Sequence, residues 1–284
     1  MSRLFLSTVF RMLKKFVFWI LMICMFAYGV YSASNAASEA RAGFALDGCF
    51  FEFVPFVGLA AAVLVSLFVG SEYSDGTIRN KLVVGHSRMR IYLANLIACS
   101  IACILISLAY VAGVIIVGNS KGGELLTEAN VVFMCLICSF WISIAFASIM
   151  TMLAMLNTNK AGNAVVSMLL ALILLVSSSF IYQRLREPKV YDHYVSVSEA
   201  GIPTQVEELP NPLYIDGTPR AVLEVVNDLL PSGQAMQLAD AFDSEGIVNK
   251  NIENTPYRWL GYSFLMIVLT SGMGIALFRK KEIR

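Results

Sequence analysis

The side chains able to do chemistry are concentrated in one stretch, Gly70 to Arg90, which reads GSEYSDGTIRNKLVVGHSRMR. It holds the carboxylates of Glu72 and Asp75, the cations of Arg79, Lys81, Arg88 and Arg90, and His86. Two carboxylates and an imidazole belong to the vocabulary of metal ligands, but one histidine among four cations reads as a solvated side chain. The second histidine, His193, falls on the other side of a membrane in the topology derived below, so no site uses both. Cys135-x-x-Cys138 has the spacing of half a zinc or redox site. Inside an apolar helix, with no histidine or second pair nearby, it reads as small apolar packing. The sequence contains no Gly-x-x-x-x-Gly-Lys-Ser/Thr loop to cradle a nucleotide's phosphates, and no Ser/His/Asp grouping suggests a nucleophile. What remains for the polar stretch is recognition: ion pairs, and a short charged helix to be docked.

The elements that must position this stretch are apolar. The chain has 284 residues, 57% of them hydrophobic and only 14% charged, with a mean hydropathy of +0.70. Six runs are free of charge: Phe16–Ala37, Phe53–Phe68, Ile91–Val117, Val131–Leu156, Ala164–Tyr182 and Leu260–Phe278. About 20 residues of helix cross ~30 Å of hydrocarbon, and lipid requires every peptide group to be bonded internally. Six spanning helices is the reading, an all-α polytopic membrane protein. Small residues after the first run, Ser32-Ala-Ser-Asn-Ala-Ala37, resemble a signal-peptidase site. The length of that run and the charge pattern favour a retained span.

Orientation follows Lys and Arg. With the N-terminus inside, the inner side holds thirteen basic residues against Glu72, Asp75 and Glu282, and the outer side holds eight basic residues against the other 17 acids. Both termini and the polar stretch are then cytoplasmic. The formal net charge of +1 offers no global field for nucleic acid. None of the six runs has an ionisable residue at its middle, Glu52 being the nearest approach, at the outer end of the second. Ion-driven pumping is therefore disfavoured. Cys24, Cys99, Cys103, Cys135 and Cys138 lie in the runs and Cys49 stands near the outer surface, so no disulfide framework is expected.

Three polar segments frame the spans. Residues 1–15 read as an amphipathic interfacial helix: Phe5, Leu6, Val9, Phe10, Met12 and Leu13 share one side, with Ser7, Arg11, Lys14 and Lys15 on the other. Within 70–90 a helix is expected with Ser74 as its cap, Asp75 in its first turn, Ile78 and Leu82 four apart on one face, and Gly85 at its end. Its apolar pair is too small to hold it on lipid, which points to a protein partner. The segment 184–257 is extracytoplasmic and holds seven of the eight prolines. From Gln183 to Tyr257 five basic residues face twelve acids, a net charge of −7. A helix is expected from Ala221 until Pro231, a second over Gly233–Phe242, and strand or loop around Tyr194–Pro203. Residues 258–284 supply the sixth span and a basic tail.

In this setting Glu72-x-x-x-Gly76-Thr77-Ile78-Arg79-Asn80-Lys81-Leu82, then Gly85-x-Ser87-Arg88 and a new span, resembles the loop between spans two and three of ABC-2 type permeases. The layout of the whole chain resembles theirs too, as does Asn211–Leu238, "NPLYIDGTPR…LPSGQAMQL". The resemblance implies a non-catalytic membrane subunit of a bacterial exporter, multi-pass in the cytoplasmic membrane. It would pair with a second permease, identical or related, and with two separate ATPase subunits that bind ATP and Mg; this chain would carry no cofactor. The polar stretch would be the coupling helix, with Glu72, Asp75, Gly76, Thr77, Ile78, Arg79, Lys81 and Leu82 as contact residues. Cargo and direction also come from the family: antimicrobial peptides, drugs or lipid-like amphipathic molecules, moved outward. The alternative is a membrane sensor or scaffold whose outer segment binds a ligand without ATP-driven transport. An intramembrane enzyme is disfavoured by the lack of polar constellations within the spans.

Overall fold

Peptide groups in hydrocarbon have no water to bond, so each uncharged run must close its hydrogen bonds within a helix. The structure, a computed structural model, describes residues 2–39, 44–197, 203–242 and 255–281. Six helices in it are long and apolar enough to cross a membrane: Phe16–Ser38, Asp47–Ser74, Arg88–Ser120, Ala129–Leu156, Lys160–Arg186 and Pro256–Lys280. The chain is thus a helical, multi-pass membrane protein by length and composition of its helices. Every expected span is present.

In chain order, α1 is Ser2–Leu13 and α2 is Phe16–Glu39. A 3-10 turn, Asp47–Cys49, leads into α3, Val54–Ser74, followed by the short α4, Thr77–Val83. Then come α5, Arg88–Ser120, α6, Ala129–Leu156, and α7, Lys160–Arg186. Two short helices, α8 (Gly217–Leu229) and α9 (Pro231–Ala239), precede α10, Thr255–Lys280. The core sits where α3, α5 and α6 meet, and α2, α7 and α10 are the least buried of the spans. Hydroxyl pairs cross the helix interfaces, Ser107 with Ser143 at 3.2 Å and Ser148 with Thr270 at 2.6 Å. Small polar side chains of this kind join helices without placing a charge in lipid.

The described residues also contain strands, which the all-α expectation did not include. β1 (Phe44–Ala45) pairs in parallel with β2 (Gly123–Glu124). β3 (Val190–Val197) and β4 (Pro203–Pro210) form an antiparallel ladder that overlaps the stretch Tyr194–Pro203, left open as strand or loop, only at its two ends. Residues 198–202 and 243–254, and the tail 282–284, lie outside the described residues, as does the side chain of His193.

Cys49, expected near the outer surface, is buried and unlinked. The tight chain path before α3 turns it inward, and Tyr110 donates from its hydroxyl to the Cys49 carbonyl at 2.8 Å. Cys135 and Cys138 are buried and unlinked, and the Cys138 thiol meets the Pro256 carbonyl at 3.5 Å. Among the described residues no cluster of His, Cys, Asp and Glu could hold a metal ion.

Candidate functional site

The polar stretch is built as one helix broken and redirected. α3 does not stop where its apolar run ends. It continues to Ser74, so Ser74 closes α3 and does not cap the next helix. Its hydroxyl donates back to the Ser71 carbonyl at 3.2 Å. The break falls at Gly76, whose φ of +66° is left-handed. Only two residues, Asp75 and Gly76, separate α3 from α4. At the other end the expectation for Gly85 is met: its φ is +93°. Gly85 N donates to Leu82 O at 2.9 Å and His86 N to Lys81 O at 3.1 Å, the paired bonds of a Schellman ending. Ser87 then caps α5, accepting from Arg90 N at 3.4 Å.

A Cβ at Gly76 would meet nothing within 4 Å, so its conformation alone penalises a side chain. Gly76→Ala is expected to cost about 1–2 kcal/mol, and Gly76→Asn less, because asparagine tolerates this conformation. Thermal unfolding of the two purified variants checks the order.

The α3 extension is possible because Glu72 is neutralised. The carboxylate is fully buried, yet Lys81 Nζ lies 2.8 and 3.0 Å from its two oxygens and Arg11 Nη1 lies 3.0 Å from Oε1. Lys81 also reaches Thr8 Oγ1 at 3.4 Å, and Arg11 donates to Thr77 Oγ1 at 3.1 Å. One carboxylate therefore fastens α1 to α3 and α4. Burial pushes the Lys81 ammonium below its ordinary pKa, against the opposing pull of Glu72. The pair is held by geometry that satisfies both charges, as a buried ion pair must be.

The eight residues implied as contacts divide by direction. Glu72, Ile78 and Lys81 point into the chain's own interior, and Ile78 belongs to the hydrophobic core. Gly76, Thr77 and Leu82 are half-buried, and Asp75 and Arg79 are exposed. The helical wheel placed Ile78 and Leu82 on one face correctly, but that face packs inward. Two residues it passed over form the tip: Val83 is 80% exposed and Val84 76%. The signal was present in the spacing, since Val83 lies on the turn opposite Ile78 and Lys81.

The ends of four spans are locked around this site. Lys281 Nζ donates to Met155 O at 3.0 Å and Tyr73 OH at 3.2 Å, joining the ends of α10, α6 and α3. Burial lowers the Lys281 pKa to about 8. Arg88, at the start of α5, donates to Phe278 O at 3.0 Å and to Lys281 O. A cation at the last carbonyls of α10 also complements that helix's dipole. α1, α4 and the basic end of α10 thus gather at one end of the bundle.

At the opposite end, α9 is seated against α3, α6 and α7. Phe242, just beyond it, stacks on Phe51 with ring centroids 5.2 Å apart. Its polar residues are matched one by one: Ser263 donates to Gln234 Oε1 at 2.6 Å, and Gln234 Nε2 donates to Asp228 O at 2.7 Å. Ser178 and Ser232 pair at 2.6 Å. Arg186 bonds Asp240 at 2.5 Å, and Arg258 pairs with Asp228. Between α7 and α8 lies a cavity of about 310 Å³ lined by Phe180, Arg184, Leu213, Tyr214 and Leu223. A search of protein-family models finds no match to this chain, and a search of curated proteins finds no relative.

Proposed function

We propose that this chain is the membrane permease subunit of an ATP-driven exporter of the ABC-2 type. The observation that carries the reading is α4 itself. A seven-residue helix, tied to α1 and α3 by Glu72, presents Val83 and Val84 at the charged end of the bundle. Two exposed valines beside Arg79 and Asn80 suit a protein groove, since hydrophobic contact needs a surface that excludes water and polar neighbours need partners. The rigid tie supports a coupling role: a push on α4 passes through its two-residue link to α3 and through Ser87 to α5. In this reading α1 is the interfacial helix, both termini are cytoplasmic, and two ATPase subunits supply the energy. A second permease copy completes the path. The contact set is Asp75, Arg79, Asn80, Val83 and Val84, with Glu72, Ile78 and Lys81 holding α4 in place. Amphipathic cargo, such as antimicrobial peptides, drugs or lipid-like molecules, suits spans whose interior polarity comes from Ser, Thr and Asn.

The test is co-purification in mild detergent from the native host. Wild type is expected to bring down an ATPase-sized partner with ATP hydrolysis. Val83→Asp with Val84→Asp is expected to lose both and keep the thermal stability of the free chain, because both side chains project outward. An intact chain that brings down no ATPase in either form sinks the proposal. The cavity between α7 and α8 would then favour the sensor reading, with an amphipathic anion as the ligand matched to Arg184 and its aromatic neighbours.

A further inference from the structure

A second cavity, of about 490 Å³, opens between α1 and α4. Its wall from α1 carries Arg3, Ser7 and Arg11, and its wall from α4 carries Thr77 and Asn80, with His86 beyond. Lys81 closes the back. The one carboxylate beneath, Glu72, is already shared by Arg11 and Lys81. Arg3, Arg11 and Lys81 therefore meet a single carboxylate. Among the described residues the side chains of Arg3 and His86 have no hydrogen bond or ion pair, so their donors are available to an anion.

The apolar surroundings decide what kind of anion fits. On the wheel of α1, Leu6 and Phe10 lie next to the stripe of Arg3, Ser7, Arg11 and Lys14, and both are more than half exposed. The opposite edge of that stripe is closed by Leu4, Thr8 and Met12, which are buried against the protein. In the first turn of α2, the exposed Trp19 donates its indole N–H to Leu13 O, at the end of α1, at 2.9 Å. An indole at the head of a spanning helix marks the level of the membrane–water boundary. The cavity thus has basic walls at headgroup depth and an apolar ridge leading from its rim.

We propose that this cavity binds the phosphodiester headgroup of an anionic phospholipid, with its acyl chains lying along Leu6 and Phe10. The phosphate accepts from Arg3 and from the Asn80 amide, and the lipid bridges α1 to α4. A free phosphate shares the chemistry of the cationic walls but leaves Leu6 and Phe10 without a role. The inference requires only that the bundle spans a membrane, and it stands whether or not an ATPase docks on α4.

The experiment titrates the detergent-purified full chain with acyl-labelled phosphatidylglycerol and, separately, phosphatidylcholine, with inorganic phosphate as competitor. The wild type is expected to prefer phosphatidylglycerol by about fivefold for each basic side chain engaged near the headgroup, and the preference falls as salt is added. Arg3→Gln with His86→Gln abolishes most of it, and the fold is kept because neither side chain has a partner to lose. Arg90→Gln with Lys280→Gln, at the same end but outside the cavity, leaves it unchanged. The proposal is overturned if the Arg3/His86 variant keeps the preference. It is equally overturned if the control pair loses as much, which would mean diffuse surface charge, or if millimolar inorganic phosphate displaces the lipid, which would mean a free-anion site.

Discussion

Glu72→Ala is expected to destabilise the purified chain by about 3–5 kcal/mol, the range for removing one partner of a buried ion pair. The substitution removes the acceptor of two bonds from Lys81 and one from Arg11, all within 3.0 Å. Arg11 is one-third exposed and can turn to water, but Lys81 has no such route, because its side chain is 9% exposed. Among the described residues its one other hydrogen bond is to Thr8 Oγ1 at 3.4 Å. An ammonium would be left buried beside a second cation. Glu72→Gln keeps the shape and loses the charge, so it is expected to be nearly as harmful. The informative variant is Glu72→Leu with Lys81→Met, which removes both charges and is expected to recover most of the loss. Thermal unfolding followed by size-exclusion fluorescence reads the series, with a fall on the order of 10 °C for Glu72→Ala. If Glu72→Ala and the double variant unfold together, the triad is not what fixes α4.

On the proposed function, a fall in transport or ATPase binding after substitution at Glu72 would therefore act through the position of α4. The residue sits inside its own chain and has no surface to offer a partner. A screen that mutated the charged residues of the polar stretch without this distinction would merge a positioning group with docking groups. The proposed docking set is separable because Val83 and Val84 touch little of their own chain.

The spans could be read from the sequence because an uncharged run of about 20 residues has one structural solution in lipid. Gly85 could be read because helices commonly end on a left-handed residue, which glycine adopts without a Cβ penalty, and a glycine stands at the right spacing. The true start of α4 could not. Ser74 and Asp75 are good capping residues in isolation, but α3 runs on past them, since Glu72 finds Lys81 nine residues ahead and Arg11 sixty-one residues behind. Local propensity has no access to such a pairing. Asp47 shows the same limit at the far end: it reads as an external acid, yet it is buried and accepts from Leu126 N at 2.8 Å and Thr127 N at 3.4 Å. A helix is expected over Gly233–Phe242 with Ala235, Leu238 and Phe242 on one side; it forms over Pro231–Ala239, and those three residues are buried. Its depth was hidden by Ser232 and Gln234, polar residues that look solvated until Ser178 and Ser263 are brought to them. Fold was legible wherever lipid imposed it. The site was legible in place and composition, and its inward and outward faces were set by contacts distant in sequence.

Gly29→Leu or Gly113→Leu is expected to separate the first span from the bundle. The two glycines lie where α2 crosses α5, and each faces the other helix's backbone. A Cβ on Gly29 would stand 2.3 Å from Tyr110 O, and one on Gly113 would stand 2.5 Å from Phe26 O. Those atoms belong to helix backbone, which cannot swing aside as a flexible side chain can. Relief requires the two helices to move apart, and in lipid their association rests on close packing, because lipid tails are as apolar as the partner helix. α2 makes its main contact with α5, so little else would retain it. The tie of Ser32 Oγ to Glu52 Oε2, 2.7 Å long near the far end, would be lost with the separation. Gly29→Ala introduces the same first clash with less bulk and is expected to cost about 1–3 kcal/mol, the range for overpacking a core; either leucine is expected to exceed it. Gly261→Leu, on α10 with nothing within 4 Å of its Cβ position, is the matched control and is expected to fold normally. Protease accessibility of a tag at the N-terminus, read with thermal unfolding, distinguishes a released first span from general unfolding. Equal stability of the Gly29→Leu, Gly113→Leu and Gly261→Leu variants would mean that α2 and α5 do not meet backbone to backbone.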